Sequence, residues 1–164
     1  MIMSLYAAAY EVATLTPWHE RTDDCYVDGN GHEHVWLPGH EHSRRGLFLD
    51  ACYELSGRTH RVLPQGYGTF SDFREALCCA AHVVGRGAIW EDPESWSDRP
   101  FFEFLYFPDN EGHIGPVAAA ELATDFTTQR DQVATRLSGD HQRYYDDWMT
   151  AFGLAANTGL VIFG

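Results

Sequence analysis

At 164 residues, with 45% hydrophobic and 14% aromatic side chains, the chain carries enough apolar material for one folded domain and too much for a disordered one. Its net charge of −13, from 24 acids against 11 bases, opposes nonspecific nucleic-acid binding and attachment to anionic membrane surfaces, both of which need basic surface. No run of 18 apolar residues occurs, so no membrane-spanning helix is expected, and the opening MIMSLYAAAYEV meets Glu11 without a basic segment, which argues against a secretory leader and for the cytoplasm.

In chain order, SLYAAAYEVATL (4–15) reads as an opening strand, with helix as its rival because of the alanines. Residues 16–45 are polar, rich in Gly and His, and irregular, apart from a short strand at HVWL (34–37). GLFLDACYEL (46–55), Ser56-Gly57 and RTHRVL (58–63) have the form of a β-hairpin with a two-residue turn. Alternation in the first arm puts Leu47, Leu49, Ala51, Tyr53 and Leu55 on one face.

A helix is predicted to start at Thr69 as N-cap, with Asp72 three residues on. Phe73, Leu77, Ala80, Ala81 and Val84 form its apolar stripe, and Gly85 and Gly87 end it. Residues 90–100 read as a loop and FFEFLYF (101–107) as a strand buried on both faces. Pro116 suits a first helical turn, and Leu122, Phe126, Val133 and Leu137 carry that helix to about residue 137. Ser138-Gly139-Asp140 recaps a last helix faced by Tyr144, Tyr145, Trp148, Phe152 and Ala155. Asn157 and Gly159 end it, and LVIF (160–163) closes the chain as a strand. The sum is one α+β domain over residues 1–164, a mainly antiparallel sheet with about three helices packed on it.

Cys25, Cys52, Cys78 and Cys79 show no C-x-x-C spacing, and neighbours such as 78 and 79 bridge only under strain, so reduced thiols are expected. His32-Glu33-His34 recurs as His40-Glu41-His42. Two H-x-H pairs on strands would each point two imidazoles to one face, a donor set that suits zinc; a solvated polar loop is the competing reading. His19, His60, His82 and His141 read as isolated histidines, with His82 packed on its helix. Trp18, Trp36, Trp90 and Trp96 fit a homodimer interface and equally the packing of loops.

The stretch PFFEFLYFPDNEGHIGP (100–116) places Asp109, Glu111 and His113 where an apolar run gives way to a helix start. Two readings stand side by side. The acids satisfy the unpaired N–H groups of that helix, or they and His113 line a ligand pocket.

From about residue 56 onward the chain resembles a family of small, uncharacterised proteins of bacteria and their phages. GYGTFSDFR (66–74), PFFEFLYFPDNEGHIG (100–115), ELATDF (121–126), YDDWMTAF (145–152) and GLVIF (159–163) carry the resemblance. Pro108 and Asn110 depart from the family's serine and cysteine, which removes a catalytic thiol at 110, and Thr69-Phe70-Ser71 departs as well. The resemblance implies a shared site of Tyr67, Arg74, Asp109, Glu111 and Gly112, to which the residues themselves add His113. An arginine facing two carboxylates is either a buried structural pair or an anion holder beside acids that accept hydroxyl or amine donors.

The leading functional expectation is a protein that binds a small polar ligand without a cofactor, nucleotide-like signalling molecules being one such class, in a sequestering role. Two alternatives stay open: a metal-dependent hydrolase using zinc, and an acidic interaction module of the immunity or inhibitor kind.

Overall fold

A computed structural model describes residues 4–16, 31–36, 39–108 and 111–164. Trp18, His19 and Cys25 lie outside the described residues, as do Asp109 and Asn110.

The opening strand is present as β1 (Ser4–Leu5) and β2 (Ala7–Leu15). β3 covers His32–Val35 and is followed by one helical turn, α1 (Glu41–Arg44). The expected hairpin is absent. Residues 51–61 form a single strand, β4 (Ala51–Arg61), which pairs with β2 along most of its length and with β3 at its start. Gly57, at φ +76°, is a bulge rather than a turn. Its extra residue lies opposite Glu11, whose carboxylate accepts the Arg58 N–H at 2.8 Å, so the strand kinks and continues. Leu47 and Leu49 of the predicted first arm therefore precede the strand, while Ala51 and Tyr53 are buried with Val35 in a small satellite core.

β5 (Gln65–Gly66) pairs with β1 and leads directly into α2 (Tyr67–His82). The N-cap is Gly66, not Thr69: the β1–β5 pairing leaves Gly66 extended, and the helix begins on the next residue. Phe73, Leu77 and Ala80 are buried as expected. The predicted loop at 90–100 holds the end of α3 (Gly87–Glu91) and a 3₁₀ turn over Pro93–Ser95.

The predicted strand 101–107 is instead α4 (Phe102–Leu105), a short helix entered through Phe101 at φ +66°. An apolar run that short carries no period, so strand and buried helix look alike in sequence. β6 (Gly112–Ile114) follows. The long helix expected from 116 to 137 is divided at Gln129 into α5 (Pro116–Thr128), α6 (Arg130–Val133) and a 3₁₀ turn. α7 (Gly139–Ala155) starts, as the sequence suggested, at Ser138, whose Oγ accepts the His141 N–H at 3.4 Å, and β7 (Leu160–Phe163) closes the chain.

The main sheet runs β3-β4-β2-β7-β6 with every neighbouring pair antiparallel. It curls, so that its edge strands meet: His113 Nε2 on β6 lies 2.7 Å from Glu33 Oε1 on β3. Strand residues Ala7, Ala9, Ile114, Val161 and Phe163 share one apolar core with α2, α4, α5 and α7. Its centre is aromatic: Trp148 stacks on Phe163 with ring planes 11° apart, and Phe104 meets Trp148 at 4.9 Å. The architecture is the α+β domain expected, with more and shorter helices than three.

Asp147 of α7 fastens that helix to the end of β4. One carboxylate oxygen accepts the Leu63 N–H at 2.6 Å and the other lies 2.8 Å from His60 Nε2. Asp147→Ala should cost about 2 kcal/mol in urea denaturation, because it removes the charged acceptor of two hydrogen bonds, from the Leu63 amide and the half-buried His60 imidazole. A loss below about 0.5 kcal/mol would mean that apolar packing alone holds α7 to this strand.

Cys78 and Cys79 are free thiols, but Cys52 is disulfide-bonded, against the expectation of reduced thiols. Among the described residues no helix is long and apolar enough to cross a membrane.

Candidate functional site

The geometry divides the predicted site. Arg74 is wholly buried in α2 and points under α4, where Nη1 donates to Phe107 O at 2.7 Å and to Phe104 O at 3.3 Å. Its guanidinium lies 4.1 Å from the Phe70 ring centre. Burial, reinforced by the like charge of Arg86, pulls its pKa down, and the two carbonyls hold the charge in place. Arg74 is thus a structural tie that shapes the 104–107 backbone. Tyr67 packs half-buried against the main core. Glu111 is half-exposed, and Asp109 lies outside the described residues.

Glu111 does not cap α5 either. The start of that helix docks on the turn after α1: the Gly115 N–H donates to Ser43 O at 2.7 Å and the Val117 N–H to Arg45 O at 3.2 Å. Gly115 is required by that approach, since a Cβ there would lie 2.3 Å from Arg45 O and 2.6 Å from Arg44 O. The Gly-Pro pair at 115–116 is a landing site for a backbone turn.

Gly112 and His113 do border a concavity, together with His40, Ser43, Arg44 and Phe107, but it holds only about 10 Å³, room for a single water. Tyr67 and Arg74 are not among its lining residues.

The histidine repeats do not converge. His32 and His34 share a face of β3 by strand alternation, as expected. His40 and His42 sit on a helical turn instead: His40 is its left-handed N-cap, and the His42 ring meets the Phe102 ring edge-on at 5.3 Å. Among the described residues no group of three or more His, Cys, Asp or Glu side chains is placed to hold a metal ion. His82 is packed as expected, its Nε2 2.9 Å from Pro100 O.

A larger hollow of about 300 Å³ opens on the other side of α4, where Asp98, Arg99, Glu103, Glu121, Thr124 and Asp125 line it. Glu103 is 5% exposed, and burial pushes its carboxyl up to about 7 against the pull of Arg45. Arg45 reaches in from the docked turn and bridges two helices. Nη2 donates to Glu103 Oε1 at 2.6 Å and also to Glu121 Oε2, and Nη1 donates to Glu121 Oε1 at 2.9 Å. That fork holds the Glu121 carboxyl below its usual range. Asp125 is raised by burial, even though Oδ2 accepts the Phe101 N–H at 2.8 Å. Two carboxyls on one wall, Glu103 and Glu121, are therefore pushed in opposite directions.

No protein-family model, curated protein or solved structure matches the chain. The hollow must be read from its own chemistry.

Sequence reasoning missed this site because it placed Glu103 in a strand and Glu121 on an ordinary amphipathic helix. One signal was present. Glu103 is the single charge inside FFEFLYF, and a carboxylate in an apolar run needs a partner wherever that run is buried.

Proposed function

We propose that the protein binds a small polar ligand in the hollow beside α4, and that the ligand presents an amine together with hydroxyl groups. The observation that carries this reading is the nearly buried Glu103 carboxyl at the wall of a 300 Å³ concavity, the larger of the two described and the one with perturbed carboxyls. The lining carries four acids against Arg99, with Arg45 reaching in, which favours a cationic group over an anion. Glu121 and Asp98 sit at the open side and suit a first contact with an ammonium; Thr124 offers a hydroxyl beside them. Binding rather than turnover is the simpler role.

The test is a thermal-shift and calorimetric comparison of glucosamine and agmatine with glucose 6-phosphate and citrate. The amines should stabilise the wild-type protein, by about 2.7 kcal/mol at one hundred times the dissociation constant. Glu121→Gln should weaken that response about tenfold or more, as expected for removing a charge that pairs with the ligand. Stabilisation by the anions alone, or equal amine binding by Glu121→Gln, would refute this assignment.

A further inference from the structure

The carboxyls that a cationic ligand would meet in the hollow already hold a cation of the chain's own. Arg45 reaches in from the docked turn and lies between α4 and α5. Its Nη1 and Nη2 fork onto the two oxygens of Glu121, and Nη2 also donates to Glu103 Oε1 at 2.6 Å. Both acceptors line the 300 Å³ hollow. The two helices thus present a two-pronged receptor, whose shape fits a planar guanidinium better than the compact point charge of an ammonium.

This occupant is open to exchange. The side chains of Arg45 and Glu121 are 36% and 50% exposed, and an ion pair so open to solvent contributes little to stability. Arg45 Nε donates to His42 O at 2.8 Å, a bond within its own turn. The turn itself is anchored through backbone, by the Gly115 N–H to Ser43 O and the Val117 N–H to Arg45 O. The guanidinium can therefore swing into solvent while the turn stays docked. The receptor it leaves is not indifferent to being vacated. Glu103 is nearly buried, and an ionised carboxylate there needs another cation or a proton.

We propose that the ligand of the hollow carries a guanidinium group and that Arg45 is its built-in competitor. The ligand's guanidinium takes the place of Arg45 on Glu103 and Glu121, and the rest of the molecule lies along the hollow toward Thr124 and Asp98. This inference rests on the amine reading above and narrows it. Only molecules in which Arg45 has swung out can bind, so the apparent affinity of the wild-type protein is lowered by that fraction.

Agmatine and putrescine, which differ in a guanidinium against an ammonium, are the probes, compared by calorimetry at pH 8. Agmatine should bind the wild-type protein about tenfold more tightly than putrescine does. Arg45→Met should bind agmatine about tenfold more tightly than wild type, since nothing then competes for the fork. An Arg45 that merely shapes the site gives the reverse, a weaker one. Stability is a second readout, which serves even where the substitution loosens the fold. Millimolar methylguanidinium should restore the urea midpoint lost in Arg45→Ala, methylammonium should not, and Arg45→Ala combined with Glu121→Gln should not respond. The proposal is overturned if Arg45→Met binds agmatine no more tightly than wild type, if putrescine matches agmatine, or if methylguanidinium fails to restore Arg45→Ala. Glucosamine binding to the wild-type protein beside any of these failures leaves the amine reading standing, whereas failure of every amine to bind removes both.

Discussion

Replacing Gly159 with alanine is expected to be among the most damaging single substitutions in the described part of the chain. A Cβ at this position would lie 1.9 Å from Tyr10 O, 2.9 Å from Ala155 Cα and 3.0 Å from the carbonyl carbon of Glu11. All three obstacles are backbone, so no side-chain rotation relieves them. Gly159 marks the point where α7 hands over to β7, and β7 pairs with β2 from Tyr10↔Leu160 onward. The strand can accommodate a methyl only by separating from β2 or by pushing the last turn of α7 off the sheet. The main core depends on that contact, and the loss should be at least about 4 kcal/mol, the upper end for one substitution. Gly153→Ala is the matched control. It lies on the exposed face of α7 with nothing within 4 Å of a Cβ, so the same change should stabilise the protein by about 0.5–1 kcal/mol through helix propensity. Urea titrations of the two variants should move in opposite directions. Near-wild-type stability of Gly159→Ala would show that the β2–β7 junction is looser than drawn.

The elements legible in the sequence are those whose signals are local. α7 and its Ser138 cap, the Pro116 start of α5, the apolar stripe of α2 and the closing strand each follow from residues within one or two turns of each other. The misread elements depend on partners far along the chain. Gly57 is a bulge because Glu11, 46 residues earlier, sits opposite it, and without β2 the same dipeptide reads as a turn. Phe102–Leu105 form a helical turn rather than a strand, and Arg74 and Arg86 hold the carbonyls of Phe104, Leu105 and Phe107 from α2 and the segment after it.

The site follows the same rule. Gly112 and His113 border only a water-sized concavity. The meaning of Gly115-Pro116 was hidden, since it lies in the docking of Ser43 and Arg45 from a segment that looked irregular. The Arg45–Glu103–Glu121 fork joins residues 58 and 76 positions apart, and no spacing rule reports such a pair.

That fork governs how the protein should respond to pH. Burial raises Glu103 from 4.5 to about 7, so the folded state holds its proton over a range where the unfolded chain has released it. The stability Glu103 contributes is whole below pH 4.5 and is lost as pH climbs through about 7. The groups facing it set the size of the effect. Arg45 lowers it from the docked turn, and Glu121 raises it from α5. Glu121, held low by Arg45, has the opposite sign, and its contribution disappears only under acid conditions, below the window in question.

Between pH 4.5 and 8 the wild-type protein should therefore lose about 3 kcal/mol more than Glu103→Gln, whose side chain is neutral throughout. Urea denaturation at pH 5 and pH 8 measures this, and equal changes in the two proteins would show that the carboxyl is hydrated in the folded state. Arg45→Met sharpens the case. Removing the one attractive charge should raise Glu103 further and move the window to higher pH. The same titration should be visible in ligand binding, because an ionised Glu103 attracts an ammonium that a protonated one does not. Amine affinity should rise as pH passes about 7 in the wild type and stay flat in Glu103→Gln, so the proton that destabilises the hollow when it leaves is also the one a cationic ligand displaces.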